Sequence, residues 1–255
     1  MKSTIFFKRT ALLLLGFQFS AFNLFSQDAS EIVRKAENLV KGEKTSYSEM
    51  SMQIVRPKYT RTVEFKSWGE TDGNSMTLIT APAKEKGQSF MKMGNNMWSW
   101  NPTIQRLIKM PPSMMSQGWM GSDFSNDDVL KESSLVKDFT HKLIGREVIS
   151  GLECYKIELI PLPDADVVWG KILIWIDIKN YFEMKVQFFD EENELVKTHT
   201  SSEIKTFDGR QLPSVMEIVP ADNPQNKTVV TIKVMKFNIV IAKDFFTQQN
   251  MKTIK

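Results

Sequence analysis

Hydrophobic and polar positions along the chain follow two periods. In residues 28–42 the apolar side chains recur at steps of three and four, which places them on one face of an amphipathic helix. Gly42 is typical of the C-terminal end of such a helix. The pattern therefore predicts one N-terminal helix, whose apolar face consists of Ile32, Val33, Ala36, Leu39 and Val40.

After this helix the period changes to two. In residues 47–55 methionine and isoleucine alternate with polar residues, and in residues 61–67 Val63 and Phe65 alternate with polar neighbours. Short connections favour antiparallel pairing of neighbouring strands. Apolar runs separated by turn residues predict further strands at 76–80, 89–93, 97–100 and 104–110.

A central segment, residues 110–128, interrupts the alternation. It contains two adjacent prolines and two glycines, which fit neither a regular strand nor a long helix. Ser125 and Asp128 have the spacing of a helix N-cap, and this predicts a short helix at residues 126–132. The soft apolar side chains predict either an adaptable hydrophobic contact or a plug for the protein's own core. They are Met110, Met114, Met115, Trp119, Met120 and Phe124.

Alternation resumes beyond this segment. In residues 168–177 the aliphatic face, Val168 with Ile172, Ile174 and Ile176, is expected to be the inner one. Strict alternation in residues 181–190 predicts that Phe182, Met184, Val186 and Phe188 share one face. Seven strands are predicted in this half, at 139–148, 152–160, 168–177, 181–190, 194–206, 211–220 and 228–237.

One antiparallel sheet of this many strands must curl or close, because a flat sheet would leave long edges exposed. An apolar concave face needs something to cover it. The N-terminal helix and the central segment are the non-strand pieces that could do so. The sequence therefore predicts a mainly β fold: a single sheet curled into an unclosed half-barrel, with both pieces against its concave face.

The first 27 residues have the pattern of a secretory signal peptide. Basic residues precede a mostly apolar stretch, and the expected cleavage lies near Ser26 and Gln27. The rest, residues 28–255, is expected to be one domain. The 33 basic residues less Lys2, Lys8 and Arg9 leave 30, which equals the 30 acidic residues. A net charge of zero gives no support for nucleic-acid binding.

The residues that carry enzyme chemistry do not form a recognisable site. His141 and His199 have no partner at metal-ligand spacing and are expected to be exposed strand residues. Asp123, Asp127 and Asp128 could cap the short helix, and an acid/base or cation role is the alternative. The single cysteine, Cys154, fits a buried residue better than a nucleophile. We expect no catalytic residue, no metal and no cofactor.

The chain resembles the LolA-like superfamily of outer-membrane lipoprotein-sorting proteins, in an uncharacterised branch. The resemblance covers nearly all of residues 28–255. Five runs of sequence carry it: RPKYTR at 56–61, ITAPAK at 79–84, PPSMMSQGWMGSDFSNDD at 111–128, VWGK at 168–171 and FFTQQNMK at 245–252.

This resemblance implies an unclosed antiparallel barrel and a periplasmic, non-enzymatic carrier or chaperone for lipoprotein acyl chains or lipids. It also implies an inner-membrane transporter and an outer-membrane acceptor as partners. The functional arginine of the family cannot be aligned here by a motif. Arg56, Arg61 and Arg106 are candidates for it, and the alternative is that all three are ordinary arginines at strand edges. We expect a monomer.

Our leading hypothesis is that lipid chains bind between the concave sheet and a lid made of residues 28–42 and 110–132, for transfer to the outer membrane. One alternative is a lipid-responsive sensor or accessory module that docks an inner-membrane transporter or another envelope protein. The other is an envelope hydrolase that uses Asp123 or Asp127. The predicted ligand-binding residues are Val63, Phe65, Met114, Met115, Trp119, Met120, Phe124, Ile172, Ile174, Phe182, Met184 and Phe188.

Overall fold

A computed structural model describes residues 28–40, 44–71, 73–94, 96–114, 117–126, 134–165 and 167–255. The predicted signal segment lies outside the described residues. So do the helix stop at Gly42, Met115, Asp127, Asp128 and nearly all of the short helix predicted at 126–132.

Among these residues the chain forms an N-terminal helix, thirteen strands, a short C-terminal helix and two 3-10 helices, Pro112–Met114 and Trp119–Gly121. Helix α1 is Ala29–Val40 and helix α2 is Gln248–Met251. The strands of the first half are β1 Thr45–Arg56, β2 Tyr59–Glu70, β3 Ser75–Ala81, β4 Ser89–Met93, β5 Asn96–Asn101 and β6 Arg106–Lys109. Those of the second half are β7 Phe139–Ile149, β8 Leu152–Pro161, β9 Lys171–Asp177, β10 Glu183–Phe189, β11 Leu195–Phe207, β12 Arg210–Pro220 and β13 Lys227–Phe237.

All thirteen strands belong to one antiparallel sheet with the order β6-β5-β4-β3-β2-β1-β13-β12-β11-β10-β9-β8-β7. Strands β6 and β7 are the two edges and do not pair with each other, so the sheet is not closed into a barrel. The fold class predicted from the two-residue period, an unclosed antiparallel sheet with an N-terminal helix, is confirmed.

Both halves of the sheet share one apolar inner face. Antiparallel partners lie on the same face of a sheet. The register aligns Ile54 of β1 with Ile174 of β9 through one partner on each strand between them. These intermediate partners are Thr228, Ile218, His199 and Val186.

Helix α1 covers this inner face in the second half of the sheet. Ile32 and Val33 are each 1% exposed and pack with Ile172 and Ile174 in one cluster. Asp28 caps the start of the helix, since its carboxylate accepts a hydrogen bond from the Ser30 amide at 3.0 Å. The inner face is therefore filled here by the protein's own side chains.

The opposite face of the first half carries the C-terminal segment. Phe246 and Met251 pack against Met76 and Met91, which point away from the inner face. The buried Ser89 hydroxyl donates a hydrogen bond of 2.7 Å to the Met251 carbonyl. The end of the chain thus stabilises strands β3 and β4 from outside.

Strand β10 departs from the alternation that its sequence predicts. A register shift between Glu183 and Lys185 places Glu183 opposite Ile176, on the inner face. Met184 packs instead with Trp175, which faces the other way. The prediction that Phe182, Met184, Val186 and Phe188 share a face is therefore wrong, because a β-bulge changes the face of every residue before it. Val168, expected on the inner face, lies before β9 and is 59% exposed.

Candidate functional site

The segment at residues 117–126, here called the cover loop, folds back on itself over the inner face. Gly118 and Ser125 form an isolated antiparallel bridge, and the Trp119 amide donates to the Phe124 carbonyl at 2.7 Å. The Ser122 hydroxyl donates to the Trp119 carbonyl at 2.7 Å. A side chain at Gly118 would place its Cβ 2.7 Å from the Ser122 carbonyl oxygen, so this turn requires glycine.

An ion pair attaches the cover loop to the sheet. The Arg56 guanidinium makes two bonds of 3.1 Å to the Asp123 carboxylate, and a third of 3.0 Å to the Gly121 carbonyl. Thr228 is fully buried and adds a bond of 2.6 Å to the same carboxylate. Such a bidentate pair fixes orientation as well as charge.

Arg61 of β2 also binds the cover loop. Its guanidinium donates to the Met120 carbonyl at 2.9 Å and pairs with Glu85 at 2.5 Å. Arg106 is exposed on β6. Of the three arginines that the sequence left open, Arg56 and Arg61 contact the cover loop.

Trp119 is the apolar anchor of the cover loop. It is 3% exposed and makes edge contacts with Phe65 and Phe90, at centroid distances of 5.4 and 5.5 Å. Its indole Nε1 has no hydrogen-bond partner among the described residues. The tryptophan therefore packs against the apolar core of the first half through its ring contacts, without a hydrogen bond from its indole N–H.

A cavity of about 340 Å³ remains beside Trp119, between the inner face and the cover loop. This volume lies at the lower end of the range of small-molecule sites. Its apolar wall consists of Met50, Met52, Phe65, Trp119, Phe124, Met216, Val230 and Met235.

The strand register arranges the cavity in rows from its closed end to its mouth. Met50 and Phe65 form one apolar row. The next row is hydroxylic, with Ser48, Ser67 and Thr77 paired across three strands. The row after it joins small residues to a cation at the mouth: Ser46, Gly69, Ser75 and Lys92.

The structure places the predicted ligand-binding residues in three separate groups. Val63 and Phe65 of the sheet come together with Trp119, Met120 and Phe124 of the cover loop. A second group, Ile172, Ile174 and Phe188, packs under α1, and a third, Phe182 and Met184, packs with Cys154 and Trp175. Met114 is half-buried outside these groups, and Met115 is outside the described residues.

The sequence analysis did not select the other residues that line the cavity. The inner positions of β1 and β2 continue with serine and glycine after Met50 and Phe65, at the same two-residue spacing. Small side chains at inner positions leave open space, so this run of serine and glycine was the sequence feature that could have predicted the cavity. The residues missed were Lys44, Thr45, Ser46, Ser48, Met50, Met52, Ser67, Trp68, Gly69, Glu70, Thr71, Gly73, Asn74, Ser75, Thr77, Lys92, Met216, Val230 and Met235.

The histidines are not exposed, contrary to the expectation. His199 is 9% exposed and lies between Phe124 and Phe188, with ring centroids 6.0 and 4.7 Å away. His141 is half-buried and its Nε2 lies 2.6 Å from the Leu135 carbonyl. Their neighbours on the inner face explain both, because strand alternation turns these positions inward.

The Asp123 carboxylate is bound by Arg56 and Thr228. The short helix that Asp123, Asp127 and Asp128 were expected to cap lies, apart from Asn126, outside the described residues. Across the part of the chain that the structure describes, no three histidine, cysteine or acidic residues are grouped as metal ligands. No helix within the same described ranges is long and apolar enough to cross a membrane.

The sheet, the inner helix and the cover loop define a half-barrel fold that is similar to that of solved lipoprotein-sorting and LolA superfamily structures. A solved outer-membrane lipoprotein-sorting protein domain from Vibrio parahaemolyticus is 20% identical, with a TM-score of 0.76 over 88% of this chain and 98% of that one. A LolA superfamily protein from Nitrosomonas europaea is 21% identical, with a TM-score of 0.72 over 87% and 98%. At these identities the likeness establishes the fold.

A DUF1329 family protein from Desulfovibrio piger has the same fold, with 19% identity and a TM-score of 0.79 over 88% of this chain and 97% of that one. A family model described as an uncharacterized protein matches residues 71–253. The chain therefore belongs to that family. No curated protein matches the sequence.

Proposed function

We propose that the protein is a periplasmic, non-enzymatic carrier that binds lipid chains in the cavity under the cover loop and transfers them toward the outer membrane. The observation that carries this proposal is the cavity itself, an apolar-walled space on the inner face closed by a loop rather than by a strand. A carrier must hide acyl chains from water, because each buried methylene contributes roughly 0.8 kcal/mol.

The closed cavity is too small for a large cargo. Its volume of about 340 Å³ lies at the lower end of the range for drug-sized ligands. A longer chain, or a lipoprotein with several chains, requires the cover loop to move away from the sheet. Such a movement breaks the Arg56–Asp123 pair and a few hydrogen bonds, and it draws Trp119 out of its aromatic contacts.

The predicted signal segment and the fold shared with the lipoprotein-sorting domain support export to the periplasm. By the same reasoning, an inner-membrane transporter and an outer-membrane acceptor are the proposed donor and recipient of the lipid. The engaged Asp123 carboxylate offers no support for a hydrolase.

The direct test is to purify the protein from the envelope of its own host and extract it with organic solvent. We expect lipid in the extract by mass spectrometry, and displacement of a fluorescent acyl probe by that lipid. Trp119→Asp should weaken probe binding because it puts a charge in the apolar wall. Val240→Asp, at a fully exposed position, is the matched control. An empty protein that binds no probe would refute the carrier.

A further inference from the structure

The cavity is not uniformly apolar, and its polarity changes along its length. The closed end is formed by methionine and aromatic side chains. Hydroxyl groups follow at the level of Ser48, and charged residues stand at the mouth. This order of apolar, hydroxylic and charged surface matches an amphiphile that enters with its tail first.

The hydroxyl rows favour a ligand with oxygen or nitrogen atoms at that depth. Ser48 lines the cavity, and its hydroxyl is not one of the fully buried polar atoms that lack a partner among the described residues, so it is open to the cavity. Ser67 and Thr77 bond to each other at 3.1 Å and retain acceptor capacity. A ligand that fills the cavity removes water from these hydroxyls, and a hydroxyl then left unpaired costs free energy. An alkyl chain alone would leave it unpaired, whereas an ester or glycerol oxygen would pair with it.

The mouth favours an anion. Among the described lining residues, Lys44 and Lys92 are basic and Glu70 is the acidic one, so the lining carries one net positive charge. Lys92 continues the row of Ser75 on the inner face, which directs it toward the cavity mouth. Ammonium groups bond strongly to phosphate and carboxylate oxygens.

The volume admits one chain. A cavity of about 340 Å³ lies at the lower end of the range for drug-sized ligands, which leaves no room for several acyl chains. We propose that this cavity takes a single-chain anionic amphiphile, with an oxygen-rich linker at the hydroxyl rows and a phosphate or carboxylate at the lysines. This inference rests on the proposed carrier function and specifies its ligand.

The first experiment compares three probes that share a dodecyl tail: dodecyl phosphate, dodecyl maltoside and dodecyltrimethylammonium. Titration calorimetry below their micelle concentrations should give the tightest binding for the phosphate. Lys92→Glu should lower the affinity for dodecyl phosphate by about tenfold, which corresponds to roughly one charged hydrogen bond, and should leave the affinity for dodecyl maltoside unchanged. Lys84→Glu, an exposed lysine outside the cavity, should change neither.

The second experiment tests the role of the hydroxyl rows with two anionic ligands. Ser48→Ala should lower the affinity for 1-lauroyl lysophosphatidate, which has an ester and a glycerol, more than the affinity for laurate. An equal effect on both would overturn the role assigned to the hydroxyl rows. Ser202→Ala, on β11 outside the cavity lining, is the control.

The outcomes separate the two proposals. If none of the dodecyl probes binds, the carrier function itself fails. If all three bind equally, or if Lys92→Glu affects the maltoside as much as the phosphate, the carrier stands and the anionic ligand is wrong.

Discussion

Arg56 and Asp123 lie 67 residues apart in the sequence and form the bidentate ion pair that fastens the cover loop to strand β1. Their side chains are 14% and 10% exposed. The pair is thus shielded from solvent, unlike the exposed Lys233–Glu64 pair on the same sheet, whose side chains are 45% and 44% exposed.

Replacing Arg56 by methionine should lower the free energy of unfolding by about 3 kcal/mol, because a buried carboxylate loses its counter-charge. Lys233→Met should cost under about 1 kcal/mol, as surface pairs do. Urea denaturation of both variants measures the difference. Similar losses would show that the Arg56 pair is as weakly coupled as a surface pair.

The same substitution should loosen the cover loop before the sheet. The Trp119 amide is bonded to the Phe124 carbonyl within the loop, so its hydrogen exchange reports loop opening. In Arg56→Met we expect faster exchange at this amide and unchanged exchange at the Val186 amide of β10. Uniform acceleration at both sites would mean that the pair stabilises the whole fold instead.

Trp119 should depend on its shape more than on its indole N–H. Trp119→Ala should cost about 3–5 kcal/mol, as large-to-small core substitutions do. Trp119→Phe should cost much less, since the Nε1 group has no partner to lose and the ring contacts persist. Trp98→Ala is the comparison, because Trp98 is half-buried on the opposite face. An equal loss in the Phe and Ala variants would refute the assignment.

The two-residue period was sufficient to predict the strands because burial on one face leaves a local signature in each strand. It could not predict the bulge in β10, since the sequence around Glu183 keeps alternating while the backbone does not. Nor could it predict Arg56 and Asp123 as partners, because their contact depends on the tertiary position of the cover loop over the sheet.

The site was predicted in part for a related reason. Phe65, Trp119 and Phe124 were selected because they are large and apolar, and they do line the cavity. Its open volume comes from small residues such as Ser48 and Gly69, because they have no large side chain to fill the space. In the second half, Ile172 and Ile174 were expected to border a cavity, but α1 fills that region.

The single cysteine should be inert in the folded protein. Cys154 is fully buried, and burial together with the nearby Asp177 carboxylate raises the pKa of its thiol to about 11. Since the thiolate is the reactive form, labelling by a disulfide reagent at pH 8 should be slow and should follow unfolding. Rapid labelling of the native protein would contradict this burial. The urea-unfolded chain serves as the positive control.

Glu183 should make stability fall as the pH rises. The bulge turns it to the inner face, where burial, and then the like charge of Glu37 on α1, raises its pKa from 4.5 to about 7. Below pH 4.5 the carboxyl is protonated in both the folded and unfolded chains, so it adds no pH dependence. Between pH 4.5 and 7 the unfolded chain releases the proton first, and folding loses stability as the pH rises.

Glu183→Gln should therefore stabilise the protein at pH 8 by roughly 2 kcal/mol, allowing for partial solvent access at about 1.4 kcal/mol per pKa unit. It should have little effect at pH 4, where the native side chain is already neutral. Chemical denaturation at the two pH values measures the contrast, and Glu191→Gln, in an exposed turn, is the control. A gain of equal size at both pH values would assign the effect to packing, because a penalty for ionisation must vanish once the carboxyl is protonated.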